Sequence, residues 1–415
     1  MKAATERPGS RQSDREAVRQ PVVDGLRGFR SLGARLHPRQ ARGGAAASGG
    51  EELPGCPVAA PGGPPWSPGR SLVISGYSGV GGACDHPCVN GFDIIGDIHG
   101  AADELETLLA GMGYERSDPT GAYRHPVRTA IFVGDLIDRG PQQLRVLEIV
   151  KEMADAGSAM VTMGNHELNA IAFASPDPTR PGEYLRRHSA KNQAQHAAFL
   201  EQVVGDDRSR FLDWFMTLPL WLDLGDIRIV HACWHGPSMA VVESEVGGNR
   251  FTAPEQFVRA STKGDPLYTA VEVLLKGPEV GLVQYGQPAF LDKDGHRRDR
   301  ARLRWWNGQA DTLDDLAEIG GSFTTEDGSP YPSVAAVPVP ADERSYVYTD
   351  RVPVFYGHYW RRWAPQQSVD WTTYTACVDF SAVRSGALVA YRWSGEQTVM
   401  PGNYISSLQF SPQPA

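Results

Sequence analysis

Five short stretches hold the residues able to do chemistry. They are GDIHG with Asp97 and His99, GDLIDRG with Asp135, Asp138 and Arg139, GNHE with Asn165 and His166, VHACWH with His231, and YGHYW with His358. Carboxylate and amide oxygens combined with imidazoles make a mixed N/O set suited to divalent transition metals. Asp97, His99 and Asp135 can hold one ion, and Asp135, Asn165, His231 and His358 a second, with Asp135 common to both. A single buried His or Asp is ordinarily a satisfied structural group, so it is the combination that carries the reading. Glycines on either side, among them Gly96, Gly134, Gly164 and Gly357, let the backbone turn tightly beside an ion.

These stretches need elements that bring them to one place. Phe92 to Ile98 is an apolar, strand-like run, and Leu105, Leu108, Leu109 and Met112 follow at i, i+3, i+4 and i+7, the period of an amphipathic helix. The unit repeats. Thr129 to Leu136 is strand-like, Pro141 suits a first helical position, Leu144, Leu147, Val150 and Ala154 form a helical stripe, and Gly157 can end it. Further strands are predicted at Ala159 to Gly164, Asp226 to His231, Val352 to His358, Tyr374 to Phe380 and Ala387 to Trp393. Alternating strands and helices argue for an α/β domain. In open α/β sheets ligand sites form beyond the carboxyl ends of the strands, where all five stretches fall.

GDIHG, GDLIDRG, GNHE, VHACWH and YGHYW, in this order over about residues 91 to 395, resemble the calcineurin-like metallophosphoesterase superfamily. The closest likeness is to the branch that holds the Ser/Thr phosphoprotein phosphatases and the symmetrical diadenosine tetraphosphatases. The resemblance implies a four-layer αββα sandwich of two mixed sheets with a dinuclear metal centre on its rim. Many members outside this branch end in Gly-His-x-His, whereas here Tyr359 and Trp360 follow His358; Asp138 and Arg139 are hallmarks of the branch.

Two cations about 3.5 to 4 Å apart would clamp a phosphate and supply a bridging hydroxide for in-line attack on phosphorus. Arg139 would grip the non-bridging oxygens. His166 would protonate the leaving oxygen, with Asp138 fixing its tautomer. A second phosphate-gripping arginine is expected between the last two metal histidines, and Arg304 in RLRWWN is favoured over Arg302. Two Mn²⁺ ions are the expected cofactors, with Fe and Zn compatible. The expected activity is that of a Ser/Thr phosphoprotein phosphatase, the alternative being hydrolysis of diadenosine tetraphosphate or another small phosphorylated metabolite.

The remainder of the chain sets bounds. Its net charge is −9 and it is 41% hydrophobic. Residues 1–90 carry 11 Lys and Arg against 7 Asp and Glu, and their Arg, Gly, Ala and Pro-rich texture predicts a disordered arm, the alternative being a segment that is not native coding sequence. Nucleic-acid binding by this arm is not expected. Cys84 and Cys88 in CDHPC, with His86 between them, lack the ligand number of a closed zinc site, and GYSGVGG lacks the Lys-Ser/Thr pair of a phosphate loop. An odd number of cysteines, no run of 18 apolar residues and no apolar leader predict a cytoplasmic chain with free thiols and no membrane partner.

Residues 91–400 form the expected catalytic domain, with a cap-like insert near 237–300 and a flexible tail at 401–415. Residues 176–198, with Arg180, Arg186, Arg187 and Lys191, are either a specificity segment for polyanions or a solvated helix face. His235 is expected to be structural, and His125, His188, His196 and His296 ordinary.

Overall fold

The computed structural model describes residues 91–411 except 117–120, 292–294, 320–322, 364–370 and 385. The Arg-rich arm, CDHPC and GYSGVGG lie outside the described residues. The first half runs β1 (Phe92–Ile95), α1 (Ala102–Gly111), β2 (Thr129–Phe132), α2 (Gln143–Asp155), β3 (Ala159–Val161), α3 (Asn165–Ala174), α4 (Ala190–Gln202) and α5 (Gly205–Phe215). There follow β4 (Trp221–Asp223), β5 (Arg228–Val230), α6 (Gly236–Val246), α7 (Pro254–Ser261), α8 (Pro266–Lys276), β6 (Glu279–Gly281), β7 (Arg300–Leu303) and β8 (Ala317–Glu318). The chain closes with β9 (Val354–Tyr356), β10 (Thr375–Cys377), β11 (Val389–Trp393) and β12 (Tyr404–Ser406).

Two mixed sheets result. One has the order β12–β11–β1–β2–β3, parallel from β1 to β3 and antiparallel at β11 and β12. The other has the order β10–β9–β5–β4, with β9 parallel to both neighbours and β4 antiparallel to β5. Strand side chains alternate between faces, and the alternation builds two cores. Phe92, Ile94, Ile131 and Val133 of the first sheet meet Ile229, Phe355, Ala376 and Val378 of the second. The opposite faces, Ile95 and Phe132 on one side and Val230, Val354 and Tyr356 on the other, pack against helices. Leu105, Leu108 and Leu109 of α1 and Val146, Leu147 and Val150 of α2 cover one sheet, and Val242, Val271 and Leu274 lie over the other. This is the αββα order of layers.

Three expectations change. Helix α2 starts at Gln143, not Pro141, because Gln142 donates its N–H to Gly100 O and Gln143 is buried as a strut across the preceding loop. The stretch from Pro237 to Lys276 is not a cap. Its helices α6 to α8 bury apolar faces in the main core, and the backbone N–H of Ala232 bonds Leu274 O beside β5. The tail beyond 401 is structured through residue 411: β12 is the edge strand of the five-stranded sheet, and Gly111 leaves room for the Phe410 ring. Among the described residues no helix is long and apolar enough to cross a membrane.

Candidate metal centre

The five motifs meet where parallel strands end. Asp97 and His99 follow β1, Asp135 to Arg139 follow β2, Asn165 and His166 open α3 after β3, His231 follows β5, and His358 follows β9. Asp135 is central. Its Oδ2 lies 3.6 Å from His99 Nε2 and 3.8 Å from His166 Nε2, while its Oδ1 lies 3.4 Å from His231 Nε2. Two overlapping donor groups therefore form around one carboxylate: His99, Asp135 and His166, and Asp135, His231 and His358.

The ring tautomers follow from the backbone. A carbonyl only accepts, so Nδ1 of His99, 2.7 Å from Ile137 O, and Nδ1 of His231, 2.9 Å from Val133 O, carry the protons. Each Nε2 is left facing Asp135, the arrangement in which an outer hydrogen bond on Nδ1 orients an imidazole for a metal. Asn165 Oδ1 sits 3.2 Å from His231 Nε2. Asp97 accepts the His358 N–H on Oδ2 at 3.1 Å, and its Oδ1 is buried without a partner, as is His99 Nε2. Buried polar atoms with no partner are costly. His99 Nε2 faces Asp135 as a shared cation would require, whereas Asp97 stands outside both donor groups.

Charge balance points the same way. Burial, then the neighbouring Asp379, raise Asp97 well above the usual carboxylate range. Burial, then His166, lower His99 to about 3, and burial, then His231, lower His358. Burial disfavours the charged His231 ring, yet Asp135 and Asp97 outweigh it and hold the ring up at about 10. Carboxylates packed this closely demand a positive charge, which protons supply when no metal does.

Backbone geometry is unusual here. The non-glycine residues with positive φ among those described are His99, Asp135, Asp138, Arg139, His358, Trp360 and Ser381, all in or beside the site. Such residues cost about 1 to 3 kcal/mol each and persist only where the surroundings over-determine them. Glu167 is one such determinant: its buried carboxylate accepts the N–H groups of Gly164, Asp135 and Leu136, each at 2.9 Å. Gly164 and Gly357 are another. A Cβ at Gly164 would stand 2.3 Å from Asp135 Oδ1, and one at Gly357 2.0 Å from Asp97 Oδ1.

A model of the calcineurin-like phosphoesterases matches residues 92–313, more than half of the chain. The chain belongs to that family. Divalent metal ions are implied by membership, and the donor set fits them. This phosphoesterase is 30% identical over 142 residues to the asymmetrical bis(5'-nucleosyl)-tetraphosphatase PrpE of Oceanobacillus iheyensis, covering 34% of this chain and 54% of that one. It is 33% identical over 139 residues to the symmetrical bis(5'-nucleosyl)-tetraphosphatase of Vibrio cholerae, covering 34% and 43% respectively. The chain thus spans about half the length of the curated relatives it matches. A solved cold-active protein-tyrosine phosphatase from Shewanella sp. is 15% identical, with 77% of this chain and 80% of that one covered and a TM-score of 0.35.

Beside the donors, the phosphoesterase places the remaining candidates as follows. His166 Nδ1 is 2.5 Å from Asp138 Oδ2, and Arg139 Nη2 is 3.2 Å from His166 Nε2. Burial opposes the charged His166 ring, but Asp135 and the bond to Asp138 hold it above the usual imidazole value. Arg304 is turned away from the donors: its Nε bonds Glu318 Oε2 at 2.6 Å, and Arg361 shares that carboxylate. Arg302 is paired as well, its Nη1 lying 3.0 Å from Glu279 Oε1, so both candidate arginines are held by carboxylates. His235 caps α6 through Ser238. Of the arginines at 176–198, Arg180 pairs with Asp177 and Glu183, and Arg186 bonds Asn169 and Gln195.

Two residues escaped the sequence reading. His196, taken as ordinary, is buried and its Nδ1 lies 2.7 Å from Asp138 Oδ1, so Asp138 is held between two imidazoles. Asp379, read only as part of a strand, accepts N–H bonds from Trp360 and Ser381. Neither sits in a short motif that sequence could have flagged.

Proposed function

We propose that this phosphoesterase hydrolyses a small phosphorylated nucleotide of the dinucleoside polyphosphate kind. One observation favours a small substrate over a protein surface: a cleft of about 440 Å³ includes Arg139 of the candidate metal centre, with Asp103, Glu104, Gln142, Ala382 and Val383 among its lining. A concave recess beside the reacting position suits a compact leaving group. The names of the two tetraphosphatase relatives support the same reading. A phosphoserine or phosphothreonine protein substrate is the competing arm of the test.

Asp97, His99, Asp135, Asn165, His231 and His358 would hold two divalent ions, Mn²⁺ in the first instance. When bound, the ions would supply Lewis-acid charge and an activated water. Arg139 would bind the non-bridging oxygens and neutralise charge as it builds. His166, protonated through its place between Asp135 and Asp138, would give a proton to the leaving oxygen, and His196 would keep Asp138 in line. A reducing, cytoplasmic setting suits the buried free thiols of Cys233 and Cys377.

The deciding experiment offers metal-stripped, Mn²⁺-reconstituted protein diadenosine tetraphosphate and a phosphoserine peptide side by side. Higher kcat/KM on the dinucleotide is expected. Higher kcat/KM on the peptide would overturn the nucleotide reading.

A further inference from the structure

Most arginines near the centre are already paired. Arg128 and Arg392 share Asp93, Arg304 and Arg361 share Glu318, and Arg302 meets Glu279. Arg139 and Arg384 differ: among the described residues neither makes an ion pair with a carboxylate. Both lie on one indole, with Arg139 Cζ 3.7 Å and Arg384 Cζ 4.3 Å from the centre of the Trp360 ring. Burial lowers Arg139 from its usual value, Asp135 opposes that, and Arg384 adds to the lowering.

The arrangement is built into the backbone. The buried Asp379 carboxylate accepts the Trp360 N–H on Oδ2 at 2.7 Å and the Ser381 N–H on Oδ1 at 3.0 Å. It thereby ties the turn that carries Trp360 to the turn that carries Arg384. Ser381, at φ 59°, accepts the Arg384 N–H at 2.9 Å and closes that turn. Ala382, Val383 and Gly386, from the same turn, form the wall of the cleft that Arg139 shares.

We propose that Arg384, held on the Trp360 ring that Arg139 also stacks on, binds a second phosphate of the substrate, the one next beyond the phosphate undergoing hydrolysis. The inference rests on the reading of Arg139 as the grip on the scissile group. It makes the Trp360–Arg384 pair a subsite for phosphoric anhydrides, whose adjacent phosphates a phosphomonoester lacks. Trp360 contributes a flat surface that keeps the guanidinium edge directed to the anion.

The test compares competitive inhibition by a nucleoside diphosphate and by the matching monophosphate, in full-chain protein loaded with Mn²⁺ under buffered free metal. Arg384 is solvent-exposed, so Arg384→Ala should fold, and its melting temperature checks this. Expected is a rise of about 10-fold or more in Ki for the diphosphate, the scale of one charge-assisted hydrogen bond, with a much smaller rise for the monophosphate. Arg384→Lys should recover part of the loss, and Trp360→Leu should move the same ratio in the same direction. Equal changes in both constants, or no change in either, would overturn the proposal. If the wild-type protein cleaves no dinucleotide, the functional reading above falls. The ratio of Ki values, measured on whichever phosphoester the protein does cleave, then still decides the role of Arg384.

Discussion

The space between the two sheets and the rim at their strand ends lie only a few residues apart along the same strands, yet they are built on opposite terms. Between the sheets, Phe92, Ile94, Ile131, Ile229, Phe355 and Val378 are buried to 2% exposure or less. Fully burying each large apolar side chain contributes about 1.5 to 3 kcal/mol. Two to four residues past the strand ends the chain turns left-handed at His99, Asp135 and His358 and buries carboxylates beside imidazoles. The strained, charged rim is tolerable because the strands that deliver it are fixed by the apolar core. Stability and chemistry are separated by no more than a change of backbone conformation at the end of a strand.

Substitutions at the two regions should separate accordingly. Asp135→Asn removes the charge shared by both donor groups, and turnover should fall by roughly 10³-fold or more, with loss of bound metal by elemental analysis. The apo-protein's melting temperature should fall modestly, as His231 and His166 lose the carboxylate that holds their rings charged. Turnover within 10-fold of wild type would break the contrast, since the rim would then not depend on its central carboxylate.

Phe355→Ala is the converse. It should lower unfolding free energy by about 3 to 5 kcal/mol, as measured in denaturant, because the ring packs against Tyr391 with centroids 4.6 Å apart. Specific activity per folded molecule should be little changed below the transition. His166→Ala should reduce kcat by roughly 10²- to 10⁴-fold with metal content intact, as expected for a general acid. Loss of metal in this variant would instead make His166 a ligand, a role its 3.8 Å approach to Asp135 allows.

Gly357→Ala sharpens the comparison at one atom. Its Cβ would stand 2.0 Å from Asp97 Oδ1, so metal affinity should drop about 10- to 100-fold while the melting temperature shifts modestly. The smallest effect is expected at His196→Ala. Releasing one side of Asp138 should lower kcat by about 10-fold with KM nearly unchanged, the size expected of a supporting hydrogen-bond partner. Partial rescue by His196→Asn would tie the effect to the bond on Asp138 and not to the volume of the ring.

Local pattern fixed a good deal. The buried stripe of α1 and each strand that ends in a candidate ligand were legible, because apolar period and short polar motifs lie within one stretch of chain. So were His99, Asp135, His231 and His358, which fall in two overlapping donor groups, one of which also takes in His166. Boundaries were read too long: Thr129 to Leu136 is strand only to Phe132, since the chain must leave the sheet to present Asp135.

What the sequence by itself determined, then, is an α/β alternation and the polar residues at its strand ends, both set by nearest neighbours in the chain, while the two-sheet class came from the resemblance of the five motifs. Tertiary structure alone decided which remote partners those residues have. Asp138 meets His196 across 58 positions, and Glu318 takes Arg304 and Arg361 and so removes Arg304 from the site. The same is true of helices α6 to α8, whose polar surface suggested a cap although their buried faces complete the core. It also holds for β12, which hydrogen-bonds to β11 and so belongs to the sheet. The reason is physical: hydrogen bonds, ion pairs and burial depend on distances in space, and chain pattern encodes those distances only where the contacts are local.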